Sequence, residues 1–432
     1  NAIPGEIRDD QGISTHNPDT DVFMKYHLAG AYDSNIALLL TTGETRLDSY
    51  NRMAEILRRT ERRGKDLATN LEFHYGLVHW FIGNGINARP STRFIVPYLT
   101  AVGLLKEQAN QLDLDYAYGQ IRQRYLEANA EQAAEWAAVL DAKKLLFTRP
   151  LERLFAEPHY MSGWLSINKK ALVIKDGSIE WLENPILLLD RLYHYLNMDF
   201  EVGKPARYMI WDHDHDILDA AVGFYKSLEE KLGTADFTAI QKALGSDAAP
   251  AGFSGDEWAA VRSAHAGYMA GTELLAVLAH IASSTGFFEL AVQPDLSIEI
   301  PERLTEESLQ KRMAKVLVPP PVAKSDEILA ASGGMFYPRE APGMDVFVNE
   351  GDHFEAGDTL YIVEVMKMFN KVVAPFAGTI EKVLIEGDGV IIKKGQPLFK
   401  VNPDEKIEVE TPEQIAAARR ASTDGFLAGI AG

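Results

Sequence analysis

Thr359-Leu360-Tyr361-Ile362-Val363, then Glu364-Val365-Met366-Lys367-Met368 and, two residues on, Lys371-Val372-Val373-Ala374-Pro375 form the stretch from which the rest of the chain is read. Two runs rich in β-branched residues flank one lysine, the pattern of a strand pair joined by an exposed turn. Lys367 is therefore expected at the tip of a hairpin, its ammonium free to be chemically modified. Met366 and Met368 are flexible and apolar, yet they fall where solvent is expected, so another protein can read them.

The surroundings of this stretch repeat. Gly351, Gly357, Leu360 and Val363 recur as Gly389, Gly395, Leu398 and Val401, each pair 38 residues apart. Gly334-Met335-Phe336 and Gly378-Thr379-Ile380 are separated by 44, so the first half carries six extra residues (44 − 38). The surplus falls between Tyr337 and Asp345 and is expected as a protruding loop. Two similar halves are expected to pack as one sandwich with Lys367 between them.

With these landmarks, residues 328–402 resemble the biotinyl carrier domains of biotin-dependent carboxylases, whose hallmark is a Met-Lys-Met turn between two quasi-symmetric four-stranded halves. The resemblance implies that Lys367 is the biotin attachment site, flanked by Met366 and Met368 and preceded by the acid Glu364. Val365 stands where the family normally has alanine. Lipoyl domains share the fold but usually read Asp-Lys-Ala at the turn, so Met366 points to biotin. The extra loop is similar to the thumb of acetyl-CoA-carboxylase-type carriers.

At 432 residues, 46% of them apolar and 24% charged, the chain is long enough for two or three domains with real cores. A net charge of −19, from 43 basic and 62 acidic residues, excludes an electrostatic nucleic-acid or acidic-membrane binder. The basic group Arg58-Arg59 with Arg62-Arg63-Gly64-Lys65 reads as a solvated helix face. With no cysteine, disulfides, thiolate nucleophiles and Cys-based zinc sites are excluded, and a cytoplasmic setting is expected. No apolar run is long enough and free enough of charge to span a membrane. The sequence opens at Asn1 without a methionine, and a piece of something longer is expected.

Along the chain, Ile36 to Leu40 reads as a buried strand, and helices are expected from Leu47 to about Gly64 and from Asn70 to Phe81. Pro97 to Phe155 is almost wholly helical in pattern, with Pro150 as an interruption. Asp176-Gly177 between Leu172–Lys175 and Ser178–Trp181 predicts a type I′ hairpin. Asn184-Pro185 predicts a cap followed by proline at the first helical position. Gly233 closes the helix that carries Ile217 to Leu232. Ser254 and Glu257 form a capping box for a long helix through Ile281, in which Gly267 and Gly271 permit close helix approach. Pro319-Pro320-Pro321 opens a linker that would reach on the order of 30 Å, and Thr411 and Gln414 cap a helical tail.

The expected fold class is multi-domain α+β. Residues 1–99 form a small α+β lobe, 100–317 a mainly α-helical assembly region and 318–327 a proline-rich linker. Residues 328–402 form a flattened β-barrel or sandwich of the biotinyl/lipoyl type, and 403–432 a helical tail. Residues 32–99 also resemble the C-terminal lobe of a biotin carboxylase domain, through Tyr32-Asp33-Ser34-Asn35-Ile36, Gly43-Glu44-Thr45-Arg46, Gly64 with Thr69-Asn70, and Ser91-Thr92-Arg93-Phe94. No glycine-rich phosphate loop or ATP-grasp core accompanies them. ATP, Mg and bicarbonate are therefore expected only through a biotin carboxylase core that lies upstream or on a partner, and the lobe could instead survive as a docking module.

Asp212-His213-Asp214-His215-Asp216 has the residue types of a metal site, but it directly precedes a helix, where acids stabilise the N-terminal dipole, so no metal site is expected. His74 and His79 are five apart on a predicted helix and do not share a face. Gly252-Phe253-Ser254-Gly255 fails the spacing of a nucleophile elbow. No catalytic residue is expected in this chain.

The resemblance implies a carboxyl carrier that moves carboxylate on biotinyl-Lys367 from biotin carboxylase to a carboxyltransferase, with an acyl-CoA as acceptor. The implied partners are a biotin protein ligase, a biotin carboxylase core and a crotonase-like carboxyltransferase, in a homo- or hetero-oligomer. The alternatives are an unmodified docking scaffold and the lipoyl carrier of a 2-oxoacid dehydrogenase. The second of these also predicts a peripheral-subunit-binding segment and an acyltransferase domain, and neither is legible.

Overall fold

A computed structural model describes residues 6–8, 16–17, 22–23, 38–60, 69–199, 212–318, 326–365, 368–404 and 411–430. The chain divides into two compact units. One contains Thr41–Leu317 and Thr411–Gly432, the other Glu6–Leu40 and Val318–Glu410. The basic group at 62–65, the segment Tyr32 to Ile36 and the proline run 319–321 lie outside the described residues.

In the second unit the chain begins with two short antiparallel pairs, β1 (Glu6–Arg8) with β4 (Leu38–Leu40) and β2 (His16–Asn17) with β3 (Val22–Phe23). Of the strand expected to be buried over Ile36 to Leu40, the described residues Leu38–Leu40 are a strand, and Leu40 is 39% exposed. A run of leucines marks a strand without marking its burial.

The first unit is helical: α1 (Arg46–Arg59), α2 (Leu71–Asn84), α3 (Ile95–Asn110), α4 (Leu114–Ala128), α5 (Ala133–Ala156), α6 (Pro158–Ile167), α7 (Pro185–Tyr195), α8 (Asp212–Leu232), α9 (Phe237–Leu244), α10 (Gly255–Met269), α11 (Val277–Thr285), α12 (Glu307–Leu317) and α13 (Pro412–Ala428). Two hairpins accompany them, β5 (Leu172–Lys175) with β6 (Ser178–Trp181) and β7 (Ala291–Val292) with β8 (Ile298–Glu299). Asp176 and Gly177 both have positive φ, 50° and 77°, as a type I′ turn requires. Asn184 accepts from the Ile186 N–H ahead of Pro185, and both capping boxes, at Ser254 and at Thr411, are formed.

Three helix expectations are corrected. Helix α5 runs straight through Pro150, which cannot donate to the Leu146 carbonyl; the Tyr193 hydroxyl of α7 donates to that carbonyl at 2.8 Å and satisfies it. The helix from Ser254 stops at Met269, because Gly271 takes φ 85° and a 3-10 turn follows before α11. Close approach is absent at Gly267, where nothing lies within 4 Å of an added Cβ, and present at Gly271, where one would stand 3.2 Å from the Tyr118 ring of α4 and 3.3 Å from that of Phe147 of α5; a tighter approach, backbone to backbone, joins α2 and α6. A Cβ on Gly76 or on Gly83 would stand 2.2 Å from the carbonyl of His159 or Ser166. Only glycine lets these two backbones meet.

The C-terminal domain is two four-stranded sheets. Its strands are β9 (Glu327–Leu329), β10 (Gly334–Tyr337), β11 (His353–Phe354), β12 (Thr359–Val365), β13 (Met368–Val373), β14 (Gly378–Val383), β15 (Val390–Ile392) and β16 (Pro397–Pro403). The sheet orders are β13-β12-β10-β15 and β11-β14-β16-β9. The second order is the first with each strand replaced by its repeat partner and read in reverse. Among the described residues the sheets share no strand, so of the flattened barrel or sandwich expected the domain is the sandwich, with no closed barrel. The core between the sheets is formed by Phe336, Leu360, Val363, Ile380, Leu398 and Val401 among others.

Backbone bonding repeats with the same offsets. The Gly351 N–H donates to the Ile380 carbonyl and the Gly389 N–H to that of Phe336, both at 2.8 Å. Gly357 donates to Ala374 and Gly395 to Ala330, both at 2.9 Å. All four glycines have positive φ, between 72° and 98°. Glycine suits these turns because their backbone already lies in the left-handed region, where a side chain would be strained.

Candidate functional site

The β12–β13 hairpin is paired in register from Glu364 with Phe369 to Val365 with Met368, its last pair. Two residues join the strands, Met366 and Lys367, and both lie outside the described residues. Glu364 and Met368 flank them. Glu364 is half-buried and its Oε2 accepts a 2.7 Å hydrogen bond from the Tyr337 hydroxyl. That bond to a carboxylate raises the Tyr337 pKa above its ordinary value, with a smaller contribution from burial. Met368 is 61% exposed and Phe369 63%, so the tip of the hairpin presents apolar side chains to solvent.

Directly opposed residues of an antiparallel sheet share a face. Phe369, Glu364, Met335 and Ile391 are linked in this way across β13, β12, β10 and β15 and form one row on the face opposite the core residues Phe336 and Val363. The row ends on an exposed Ile391, and the Tyr337 and Phe369 rings lie 5.7 Å apart.

The surplus loop folds against this face. Ala341 to Met344 close a turn with Gly343 at φ 85°, the Met344 N–H donating to the Ala341 carbonyl at 3.1 Å. Arg339 joins it to the second half of the domain through Asp388 at 3.2 Å and holds its own loop through the Met344 carbonyl at 2.8 Å. Glu340 pairs with Lys371 of β13 at 2.9 Å. Pairs this exposed stabilise by at most about 1 kcal/mol each. Their effect is to fix where the loop lies.

The exit from the sandwich is at the end away from this tip. Strand β13 runs from Met368 for six residues to Val373, a distance of about 20 Å at a strand's rise. Residues 374–377 lead into β14, whose first residue Gly378 pairs with Pro403, the last of β16. The incoming chain is at the same end, since the Val401 N–H donates to the Asp326 carbonyl at 2.8 Å.

Tyr337, Phe369 and Ile391 were not singled out by sequence. Tyr337 reads as the start of the surplus, and alternation along β13 and β15 is the only signal of the face that Phe369 and Ile391 occupy. The other candidates stay apart from this site. Asp214 lies in the first turn of α8, which begins at Asp212 and so includes the run expected to precede it; Asp214 is buried, with a carboxylate oxygen 3.5 Å from Arg149, and among the described residues no group of three His, Asp or Glu is placed to hold a metal. His79 is buried, its Nδ1 2.9 Å from the Tyr75 carbonyl. No helix among the described residues is long and apolar enough to cross a membrane.

Comparison with known proteins bears on the same region. A family model described as biotin-requiring enzyme matches residues 327–401. The biotin carboxyl carrier protein of acetyl-CoA carboxylase from Nostoc is 36% identical over 81 residues, 19% of this chain and 44% of that protein. Its counterpart from Pseudomonas aeruginosa is 43% identical over 68 residues, 16% of this chain and 43% of that protein. The one from Porphyra purpurea is 33% identical over 105 residues, 24% of this chain and 60% of that protein. The chain thus spans about half the length of the curated relatives it matches. Residues 327–401 form a carrier domain of the biotinyl/lipoyl type.

Proposed function

We propose that residues 327–401 carry biotin in amide linkage on Lys367 and serve as the carboxyl carrier of a biotin-dependent acyl-CoA carboxylase. The observation that carries this reading is the terminal pair Val365–Met368, which leaves a lysine between two methionines as the connection of a hairpin in a two-fold sandwich. The family model for biotin-requiring enzymes and the relatives named for acetyl-CoA carboxylase support biotin over lipoate and an acyl-CoA as acceptor.

The residues present suit such a group. A lysine amine must lose its proton before it attacks an activated carboxyl carbon, and in this reading a biotin protein ligase supplies both the base and the activated biotin. Tyr337 holds Glu364 in one orientation beside the tip, and Met368 with Phe369 gives the ligase an apolar surface to recognise. When bound, biotin supplies a ring nitrogen that takes up a carboxyl group at one enzyme and gives it up at another. The chain's own part is reach and presentation. The ladder from Tyr361 to Val365 fixes the tip to the sandwich, so that whatever Lys367 carries moves with the domain as a body.

In this reading the biotin carboxylase core that handles ATP, Mg and bicarbonate is upstream or on a partner, as the similarity of residues 32–99 to its C-terminal lobe suggests. The carboxyltransferase is a partner too, and the helical unit organises the assembly in the cytoplasm. Intact-mass measurement of the full chain co-expressed with a biotin protein ligase tests the proposal. One biotin adduct is expected, mapped to Lys367 by peptide sequencing and lost in Lys367→Arg. An unmodified mass would leave only a docking scaffold, and a lipoyl adduct would reassign the domain to a 2-oxoacid dehydrogenase; either result overturns the reading.

A further inference from the structure

The helical unit contains a cavity of about 50 Å³ between α6, α7, the start of β5 and α11. Its walls are Trp164, Leu165, Leu189, Leu275 and Leu278, nearly all hydrocarbon. A water needs roughly 10–15 Å³ and two to four polar partners, so the space holds about three to five water-sized groups and offers them almost nothing to bond to. Alkyl groups suit it better, because they restore the dispersion contacts that an unfilled void forgoes.

The mouth differs from the walls. Phe288, 39% exposed, lines it together with Asn168 and Lys169. Lys169 has one hydrogen-bond partner among the described residues, the neutral Asn84 Oδ1 at a long 3.4 Å, and no carboxylate within salt-bridge distance. Burial and the adjacent Lys170 both lower the Lys169 pKa, as expected of a cation that lacks a counter-charge. An apolar-lined pocket with an exposed ammonium at its opening, held by no carboxylate among the described residues, is complementary to an alkyl chain that ends in a carboxylate.

We propose that this cavity binds a short unbranched aliphatic carboxylate of about four to six carbons, its alkyl end among the leucines and its carboxylate on the Lys169 ammonium. The site is independent of Lys367 and of the carrier reading. It gives the helical unit a ligand of its own, of the chemical class of a free short-chain acid.

Titration of the full chain with hexanoate, followed by the indole N–H resonance of Trp164 assigned through Trp164→Phe, tests the proposal. A saturable shift is expected. Lys169→Gln alters only an exposed side chain and should weaken binding about tenfold, the loss of one charge-assisted hydrogen bond. Hexan-1-ol, which keeps the chain but not the charge, should bind correspondingly less well. Ala279→Leu, which adds bulk to the lining, should abolish the shift. The proposal is overturned if hexanoate gives no saturable shift, or if hexanol and Lys169→Gln match the native affinity, so that should the filling variant misfold the other arms still decide.

Discussion

His79 shows what a single residue costs and contributes in the helical unit. It lies where α2 crosses α6, with the rings of Tyr75 and Tyr195 centred 4.4 and 4.8 Å away. Burial pushes its pKa from 6.5 down to about 4, opposed by its hydrogen bond to the Tyr75 carbonyl, and His159 and His265 are likewise lowered by burial to about 4. Between these values the unfolded chain binds a proton that the folded chain refuses. The folded state therefore keeps its full advantage above pH 6.5 and loses it as pH falls toward about 4. Each such histidine contributes a slope of about 1.4 kcal/mol per pH unit in that window. Urea unfolding followed by far-UV circular dichroism should show this decline, and His79→Asn should make it shallower. An unchanged slope would mean that the imidazole titrates as it does in water. From the sequence, His79 was legible only as one of two histidines on different faces of a helix. The glycines of the α2–α6 crossing, which bury it, are brought together by tertiary packing alone.

At the scale of elements, the two halves of the sandwich respond to substitution in two distinguishable ways. Gly357 and Gly395 are repeat partners with φ of 98° and 79° and nothing within 4 Å of an added Cβ. Alanine at either should cost a similar ~1–2 kcal/mol, purely from the backbone. Gly334 is different, because a Cβ there would stand 2.5 Å from the Glu364 carbonyl. Gly334→Ala should push β10 off β12, cost about 1–3 kcal/mol and speed amide exchange specifically along β12. Exchange that stays at the native rate would show that the strands can absorb the methyl group. The repeat was legible because turn glycines and buried leucines follow local rules at fixed spacing. Caps and the Asp176-Gly177 turn were legible for the same reason. Pro150 was misread because its remedy, the Tyr193 hydroxyl, comes from a helix 43 residues away in sequence (193 − 150). The Ser254 helix was read as too long because Gly271 is tolerated in a helical pattern until its φ is known. The hairpin around the lysine was legible, whereas the Tyr337 brace on Glu364 was not, since Tyr337 closes β10 and meets Glu364 only when β10 pairs with β12, 27 residues on (364 − 337).

At the scale of the molecule, the carrier domain is an excursion between α12 and α13, and both of these helices belong to the helical unit. Helix α13 is docked there by several contacts. The Asp113 N–H donates to Thr423 at 2.9 Å, Arg419 donates to the Leu112 carbonyl at 3.1 Å, and the Tyr116 hydroxyl donates to Asp424 at 2.9 Å. Phe426 is fully buried with its ring 5.4 Å from that of His280. Phe426→Ala should weaken this docking by about 3–5 kcal/mol. The sequence predicted a capped tail helix but gave no hint of its destination, because the partners of Thr423 and Arg419 lie some 300 residues earlier. This arrangement makes the carrier resistant to a single proteolytic cut. If a protease site is inserted between Leu317 and Asp326 and cleaved, the covalent connection through α12 is lost, yet α13 remains seated on α4 and the two fragments should co-elute on gel filtration. Release should require a second lesion, supplied by Phe426→Ala, and immediate separation of the cut native chain would show that α13 does not retain it.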